Sequence, residues 1–210
     1  MFNIKRNYDK CLLFIVCLLL LYIISTKIID TNVWYKSSLN GKMYKVMNDG
    51  KEAVTANKLA LVEYKLNHLC KIVCGPQGGS PHFMDGARGK LQSRWPKIKI
   101  REVSPGEPEA AYVLNKGPDM RFCVQNKETE IGEKDNLMMF VAIHEMAHIM
   151  SDSFGHGQEF LNNFKGLLDI ATKNQIVNPL NGKRELIYTP KDFLSQPTQY
   201  CGTKINRNIM

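Results

Sequence analysis

The chain has 210 residues, which is enough for one domain with a hydrophobic core and a short appendage. Its hydrophobic share of 44% and charged share of 23% are ordinary for a globular protein and exclude a largely disordered chain. The formal net charge of +8 favours acidic partners or an anionic surface, although basic residues also keep small domains in solution.

The first predicted element is an apolar stretch near the N-terminus, CLLFIVCLLLLYII at residues 11–24. Extended to residue 26, it approaches the roughly 20 residues that cross a bilayer. Basic residues flank it on both sides: Lys5, Arg6, Lys10 and Lys27. We therefore expect a single-pass membrane anchor through residues 11–26, with the N-terminus in the cytoplasm. A cleaved signal peptide and a buried helix are the alternatives.

The rest of the chain divides at a change of pattern near residue 50. Residues 31–50 have little periodicity, so we predict a tether that joins the anchor region, 1–30, to a domain spanning 51–210. The domain opens with an amphipathic helix, because apolar residues recur at helical spacing from residue 52 to 73: Leu59, Val62, Leu66, Leu69 and Val73.

A basic run follows that helix. Residues 88–101 contain no acidic residue and six basic ones: Arg88, Lys90, Arg94, Lys97, Lys99 and Arg101. Such a run is a candidate nucleic-acid surface, but a solvated face is the commoner explanation. We therefore do not expect nucleic acid as a partner.

Three extended segments come next, KIKIREV at 97–103, AAYVLN at 110–115 and MRFCVQ at 120–125. Gly and Pro separate them, which predicts a small sheet. A helix should start near Asn136 with Asp135 as its N-cap, and another near Gly157. The second helix has an apolar stripe: Phe160, Phe164, Leu167, Leu168 and Ala171. The order helix, sheet, helix, helix predicts an α+β fold.

The stretch IHEMAHIM, residues 143–150, carries the chemistry. His144 and His148 are four apart, so on a helix both imidazoles project from one face and can bind one zinc ion. Glu145 lies beside them, where its carboxylate could act as a general base on water. The surrounding residues are apolar, and burying these polar side chains without a partner would be costly.

A zinc site of this kind needs a third protein ligand. Ser151 and Phe154 stand where a metzincin would have glycine and histidine, so that class is excluded. Asp152, His156 and Glu159 remain as candidates. We favour His156, because imidazole suits zinc and the flanking glycines permit the chain to turn back.

The other histidines and the cysteines give weaker indications. His68 and His82 have no partner at metal-site spacing, so we do not expect them to be ligands. Four cysteines lie beyond the apolar stretch, an even number that suits an oxidising compartment: Cys70, Cys74, Cys123 and Cys201. A bridge between Cys123 and Cys201 is one of several pairings that the sequence allows.

The motifs HEMAH and GHGQEF together resemble those of the WLM (Wss1-like) and SprT-like zinc metallopeptidases. NKLALVEYKLNHL and YTPKDF…YCG extend the similarity, which is greatest to WLM-type proteins of large DNA viruses. The resemblance implies a zincin-type fold with the HExxH helix beside a small sheet. It also implies that His144, His148 and His156 hold Zn²⁺ and that Glu145 is the general base.

These observations predict a membrane-anchored zinc metalloendopeptidase that acts on polypeptide substrates, in a virion or host endomembrane. The edge strand at 110–115 would bind extended peptide through its main chain, and Tyr112 on it could help to hold substrate. Two other functions are compatible with the sequence. One is a non-catalytic membrane or virion protein stabilised by zinc, and the other is a DNA-associated protease of the SprT-like group.

Overall fold

The computed structural model describes residues 12–20, 32–104, 106–107, 109–114, 116–124, 133–190 and 198–205. The chain divides into two compact units, Met1–Asn32 and Val33–Met210. In the first unit, residues 12–20 form helix α1.

The predicted membrane anchor is wrong. No helix among the residues described is both long enough and apolar enough to cross a membrane. Residues 12–20 rise about 14 Å as a helix, against the roughly 30 Å of a hydrocarbon core. The remaining residues of the predicted span, 11 and 21–26, lie outside the described ranges. The predicted single-pass membrane localisation depended on this span and is therefore wrong as well.

The region predicted as a tether contributes to the second unit. Strands β1 (Asn32–Lys36) and β2 (Met43–Met47) form a two-stranded sheet there. Tyr44 and Val46 of β2 are buried in the hydrophobic core. Helix α2 (Glu52–Cys74) follows, and all five residues of its predicted apolar stripe are buried. The amphipathic helix is therefore confirmed.

A three-stranded sheet lies beside the helix that carries the HExxH motif. After helix α3 (Ala87–Arg94) and a 3-10 turn come β3 (Lys99–Glu102), β4 (Ala111–Leu114) and β5 (Asp119–Phe122). The strand order is β3-β5-β4, with β5 parallel to β3 and antiparallel to β4. The predicted small sheet is confirmed, and β4 is one of its edges.

Two helices carry the motif and the apolar stripe that follows it, α4 (Glu133–Met150) and α5 (Gln158–Lys173). From Leu137 to Ile143 every residue of α4 is buried, as expected of a helix that is apolar all round. Asp135 is not the N-cap, because α4 begins at Glu133; instead its carboxylate pairs with the buried ammonium of Lys58 at 2.6 Å. The mixed α+β class is confirmed.

The C-terminal region forms two hairpins. Strands β6 (Gln175–Val177) and β7 (Arg184–Leu186) pair antiparallel, as do β8 (Thr198–Tyr200) and β9 (Thr203–Ile205). A disulfide joins Cys123, just after β5, to Cys201 in the turn of the β8–β9 hairpin. This bond ties the hairpin to the sheet beside α4.

Candidate metal centre

The three predicted histidine ligands lie together. His144 and His148 project from α4, and His156 reaches them from the loop that joins α4 to α5. One ligand atom from each lies within 4.8 Å of the others, and the Nε2 atoms of His144 and His156 are 3.0 Å apart. The α-helical period places His144 and His148 on one face of α4. His156 lies beside them because the chain reverses direction after α4.

The donor set fits a zinc ion. Three imidazoles that leave a fourth position for water or substrate are a recurring catalytic zinc arrangement. Nitrogens bound at about 2.0–2.1 Å in a tetrahedron are about 3.4 Å apart, so donors that already lie within 4.8 Å need only small rotations. Softer metals would favour thiolates, and the three donors here are nitrogens.

The surroundings keep the two helix histidines uncharged. Burial, followed by the neighbouring histidines, lowers the pKa of His144 to about 3. Burial, with His156 and Lys116 adding repulsion, lowers the pKa of His148 to about 4. The ring of Phe160 contacts all three imidazoles, with centroids 4.3–4.7 Å away. Neutral imidazole is the form that binds a metal, so the site is prepared for a cation near neutral pH.

Glu145 lies next to His144 on α4 and is 5% exposed. Burial and the charge of Glu109 raise its pKa to about 8, opposed by a hydrogen bond from the backbone of Val113. A cation bound by the histidines would favour the ionised carboxylate, because an opposite charge nearby lowers such a pKa. Glu145 thus lies beside the three imidazoles as a buried carboxyl and is not among the grouped donors.

A cleft of about 770 Å³ surrounds these residues. Its walls come from β4, α4, the loop after α4 and the β8–β9 hairpin. The Ala110 carbonyl accepts a hydrogen bond from the Cys123 N–H, so antiparallel alternation directs the main-chain groups of Ala111 and Val113 away from β5. These groups form the edge of the sheet that faces the cleft.

The other candidate ligands have different roles. Asp152 is exposed and pairs with Lys90 and Arg94. The Glu159 carboxylate accepts hydrogen bonds from the backbone of the loop after α4, so neither carboxylate belongs to the histidine cluster. His68 and His82 also lie outside that cluster. Tyr112 lines the cleft, and its hydroxyl donates to Glu107 at 2.8 Å.

The basic run at 88–101 is mostly engaged within the domain. Four of its six cations bond to protein partners: Arg88, Lys90, Arg94 and Arg101. Arg88, for example, donates to the carbonyls of Val73 and Gly75 and so caps the end of α2. Because these cations are paired within the protein, the interpretation of residues 88–101 as a nucleic-acid surface is weakened.

Several residues of the site carry no signal in the sequence. The Val113 N–H reaches Glu145 only because β4 packs beside α4. Lys116 in the β4–β5 turn donates to the Asp152 carbonyl and lies 4.3 Å from the ring centre of Phe154. Tyr200 lines the cleft because the disulfide holds its hairpin there. Pairings over such long sequence separations cannot be read from local pattern.

Comparison with known proteins returns viral relatives of unestablished function. The chain is 23% identical over 198 residues to "Uncharacterized protein R325" of Acanthamoeba polyphaga mimivirus, covering 94% of each chain. It is 33% identical over 77 residues to "Uncharacterized protein 136R" of Invertebrate iridescent virus 6, which covers 35% of this chain and 42% of that one. Over 73 residues it is 30% identical to "Uncharacterized protein 042R" of Invertebrate iridescent virus 3, covering 35% and 45%.

No protein-family model matches the chain, and no solved structure matches it. The resemblance to WLM and SprT-like peptidases therefore stays a prediction that rests on the motif residues. The relatives are viral, and their names assign no activity.

Proposed function

We propose that this protein is a zinc-dependent peptidase that cleaves peptide bonds within polypeptide substrates. The observation that carries the proposal is the joint placement of three imidazoles and a buried carboxylate in one cleft. The histidines supply neutral nitrogen donors, and Glu145 lies beside them without being a metal donor itself. That division between metal binding and proton transfer is what hydrolysis at a zinc site requires.

His144, His148 and His156 would hold the metal. Bound zinc supplies Lewis acidity, which polarises a substrate carbonyl and makes a nearby water more acidic. Glu145 takes a proton from the water whose oxygen bonds to the peptide carbonyl carbon. It then gives that proton to the departing amine nitrogen as the C–N bond breaks.

The edge strand β4 would align the substrate. An extended peptide can pair with an exposed strand edge through main-chain hydrogen bonds, with its side chains directed alternately to either face. The outward groups of Ala111 and the carbonyl of Val113 are available for this pairing, since the Val113 N–H already serves Glu145. Peptide bound there would pass the histidines within the same cleft.

Metal content and cleavage measured on the same preparations test the proposal. The full chain should retain about one zinc ion and should cleave an unfolded polypeptide such as reduced, alkylated casein. Glu145→Gln should keep the zinc and lose about 10²- to 10⁴-fold in rate, the usual contribution of a positioned base. If the wild type and Glu145→Gln both bind zinc and are equally inactive, the result would favour a non-catalytic protein stabilised by zinc. A wild-type chain without zinc would overturn the metal centre itself.

A further inference from the structure

The loop that carries His156 is exposed, yet contacts from outside it define its position. Residues 152–158 are all exposed, so the hydrophobic core does not hold this segment. His148 and its neighbours on α4, in contrast, lie within a buried helix. Apart from the contact between the His156 ring and the buried ring of Phe160, polar contacts must therefore keep His156 opposite His144.

Glu159, in the first turn of α5, makes one set of these contacts. Its carboxylate accepts hydrogen bonds from the N–H groups of Asp152 and Ser153, at 3.0 and 2.9 Å. The Lys90 ammonium of α3 donates to the same carboxylate at 3.0 Å. The carboxylate thus folds back over the loop and fixes two of its peptide groups.

Lys90 and Arg94 of α3 make the second set. The guanidinium of Arg94 donates to the carbonyls of Ile149 and Ser151, at 2.8 and 3.2 Å, and pairs with Asp152 at 2.8 Å. Lys90 also pairs with Asp152, at 2.7 Å. Both residues therefore join α3 to the point where α4 ends and the loop begins.

We propose that Lys90, Arg94 and Glu159 are positioning residues for the third metal ligand. By fixing the loop before the metal arrives, they hold the His156 Nε2 where it faces the His144 Nε2 at 3.0 Å. A ligand held in place loses less conformational entropy on binding, so its affinity rises. The proposal rests on the metal centre proposed above and adds the residues that set its strength.

A purely structural role for the three residues makes a different prediction. Residues that only stabilise the fold would lower the melting temperature of the metal-free protein, and zinc affinity would fall only in step with it. A positioning role lowers zinc affinity while the metal-free fold melts nearly unchanged. The side chains of Lys90 and Glu159 are each 21% exposed, so added salt should also screen the network and weaken zinc binding.

The test measures zinc affinity by chelator competition, the absorption spectrum of bound Co²⁺, and metal-free melting. Glu159→Gln and Lys90→Met should each bind zinc about 10- to 100-fold more weakly, as outer partners of metal ligands typically do, and alter the Co²⁺ bands. Lys90→Arg should restore most of the affinity, and Lys165→Met, a change at an exposed lysine of α5, should have no effect. Raising sodium nitrate from about 0.05 to 0.5 M should lower the zinc affinity of the wild type. The zinc affinity of Lys90→Met should fall less over the same range.

Equal zinc affinities in the wild type, Glu159→Gln and Lys90→Met would overturn the positioning role and leave the metal centre intact. The same conclusion would follow if the variants lost zinc affinity only in proportion to their loss of metal-free melting temperature. The salt series needs no variant, so a wild-type affinity that ignores salt counts against the proposal even where a variant fails to fold. Failure of the wild type to bind zinc would instead overturn the proposed function, and the two failures are distinguishable.

Discussion

The two halves of the candidate metal centre are built in different ways. His144, Glu145 and His148 belong to α4, whose sides pack into the core, and their spacing follows from helix geometry. His156 stands on an exposed loop, where polar contacts from α3 and α5 define its position. The helix half is fixed by backbone hydrogen bonds and packing, whereas the loop half is fixed by side chains.

This difference indicates where the site can be adjusted. Changing the helix half disturbs the core, because the His144 ring contacts Phe160 and Phe164 at centroid distances of 4.7 and 5.3 Å. Changing the loop half disturbs mainly exposed polar contacts, since residues 152–158 are exposed and His156 meets one buried ring, that of Phe160. We therefore expect changes in the helix half to affect both the fold and metal binding, and changes in the loop half to affect mainly metal binding.

The largest expected effect separates the halves directly. His144→Ala and His156→Ala should each weaken zinc binding by about 10³-fold or more, since each removes one ligand. His144→Ala should also lower the metal-free melting temperature more than His156→Ala does, because the His144 ring packs on two phenylalanine rings and the exposed His156 on one. Calorimetry on metal-free protein checks this. Equal melting losses in both variants would break the comparison.

The pH dependence of the metal-free protein should be dominated by the helix half. The folded pKa of Glu145, about 8, lies above its ordinary 4.5, so its contribution to stability is present below pH 4.5 and lost as pH rises through 8. His144 and His148 have lowered pKa values, so their contributions to stability are lost as pH falls below 6.5. The stability of Glu145→Gln relative to the wild type should therefore rise by about 5 kcal/mol between pH 4.5 and 8.

Denaturant unfolding of both proteins across that pH range measures the gain. A constant difference between Glu145→Gln and the wild type would mean that the carboxyl titrates normally. It would then lack the buried environment on which the contrast between the two halves depends.

The disulfide supports a third wall of the cleft and should be independent of both halves. Replacing Cys123 and Cys201 together by serine should lower the free energy of unfolding by about 2–4 kcal/mol. Substrate KM should rise because the β8–β9 hairpin lines the cleft, while zinc affinity should not change. Cys70→Ser, at a free thiol on α2, is the control. A loss of zinc affinity would show that the hairpin also supports the ligands.

The smallest expected effect concerns the two glycines that flank His156. Gly155 has a φ of +78°, a left-handed conformation, whereas Gly157 has a φ of −67°. A Cβ at either position would meet open space, so only conformation distinguishes them. Gly155→Ala should cost about 1–2 kcal/mol in the loop and lower zinc affinity several-fold, and Gly157→Ala should change little. Equal zinc affinities in the two variants would show that the loop adjusts without affecting its ligand.

The sequence alone determined the features that depend on neighbouring residues. The period of α2, the placement of HExxH on a buried helix and the small sheet all follow from local pattern, and the structure has each of them. The apolar N-terminal stretch shows the limit of such reasoning. Composition indicated a membrane span there, but none of the described helices is long and apolar enough to form one.

Only the tertiary structure decided the features that join distant parts of the chain. His156 was one of three candidates until the chain reversal brought it beside His144, while Asp152 and Glu159 bonded elsewhere. The basic run at 88–101, a candidate nucleic-acid surface in the sequence, contributes Lys90 and Arg94, which contact the start of the loop that carries His156. Local periodicity constrains which face a side chain takes, but not which distant segment it meets. That choice is made when the core closes and buried or charged groups must find partners.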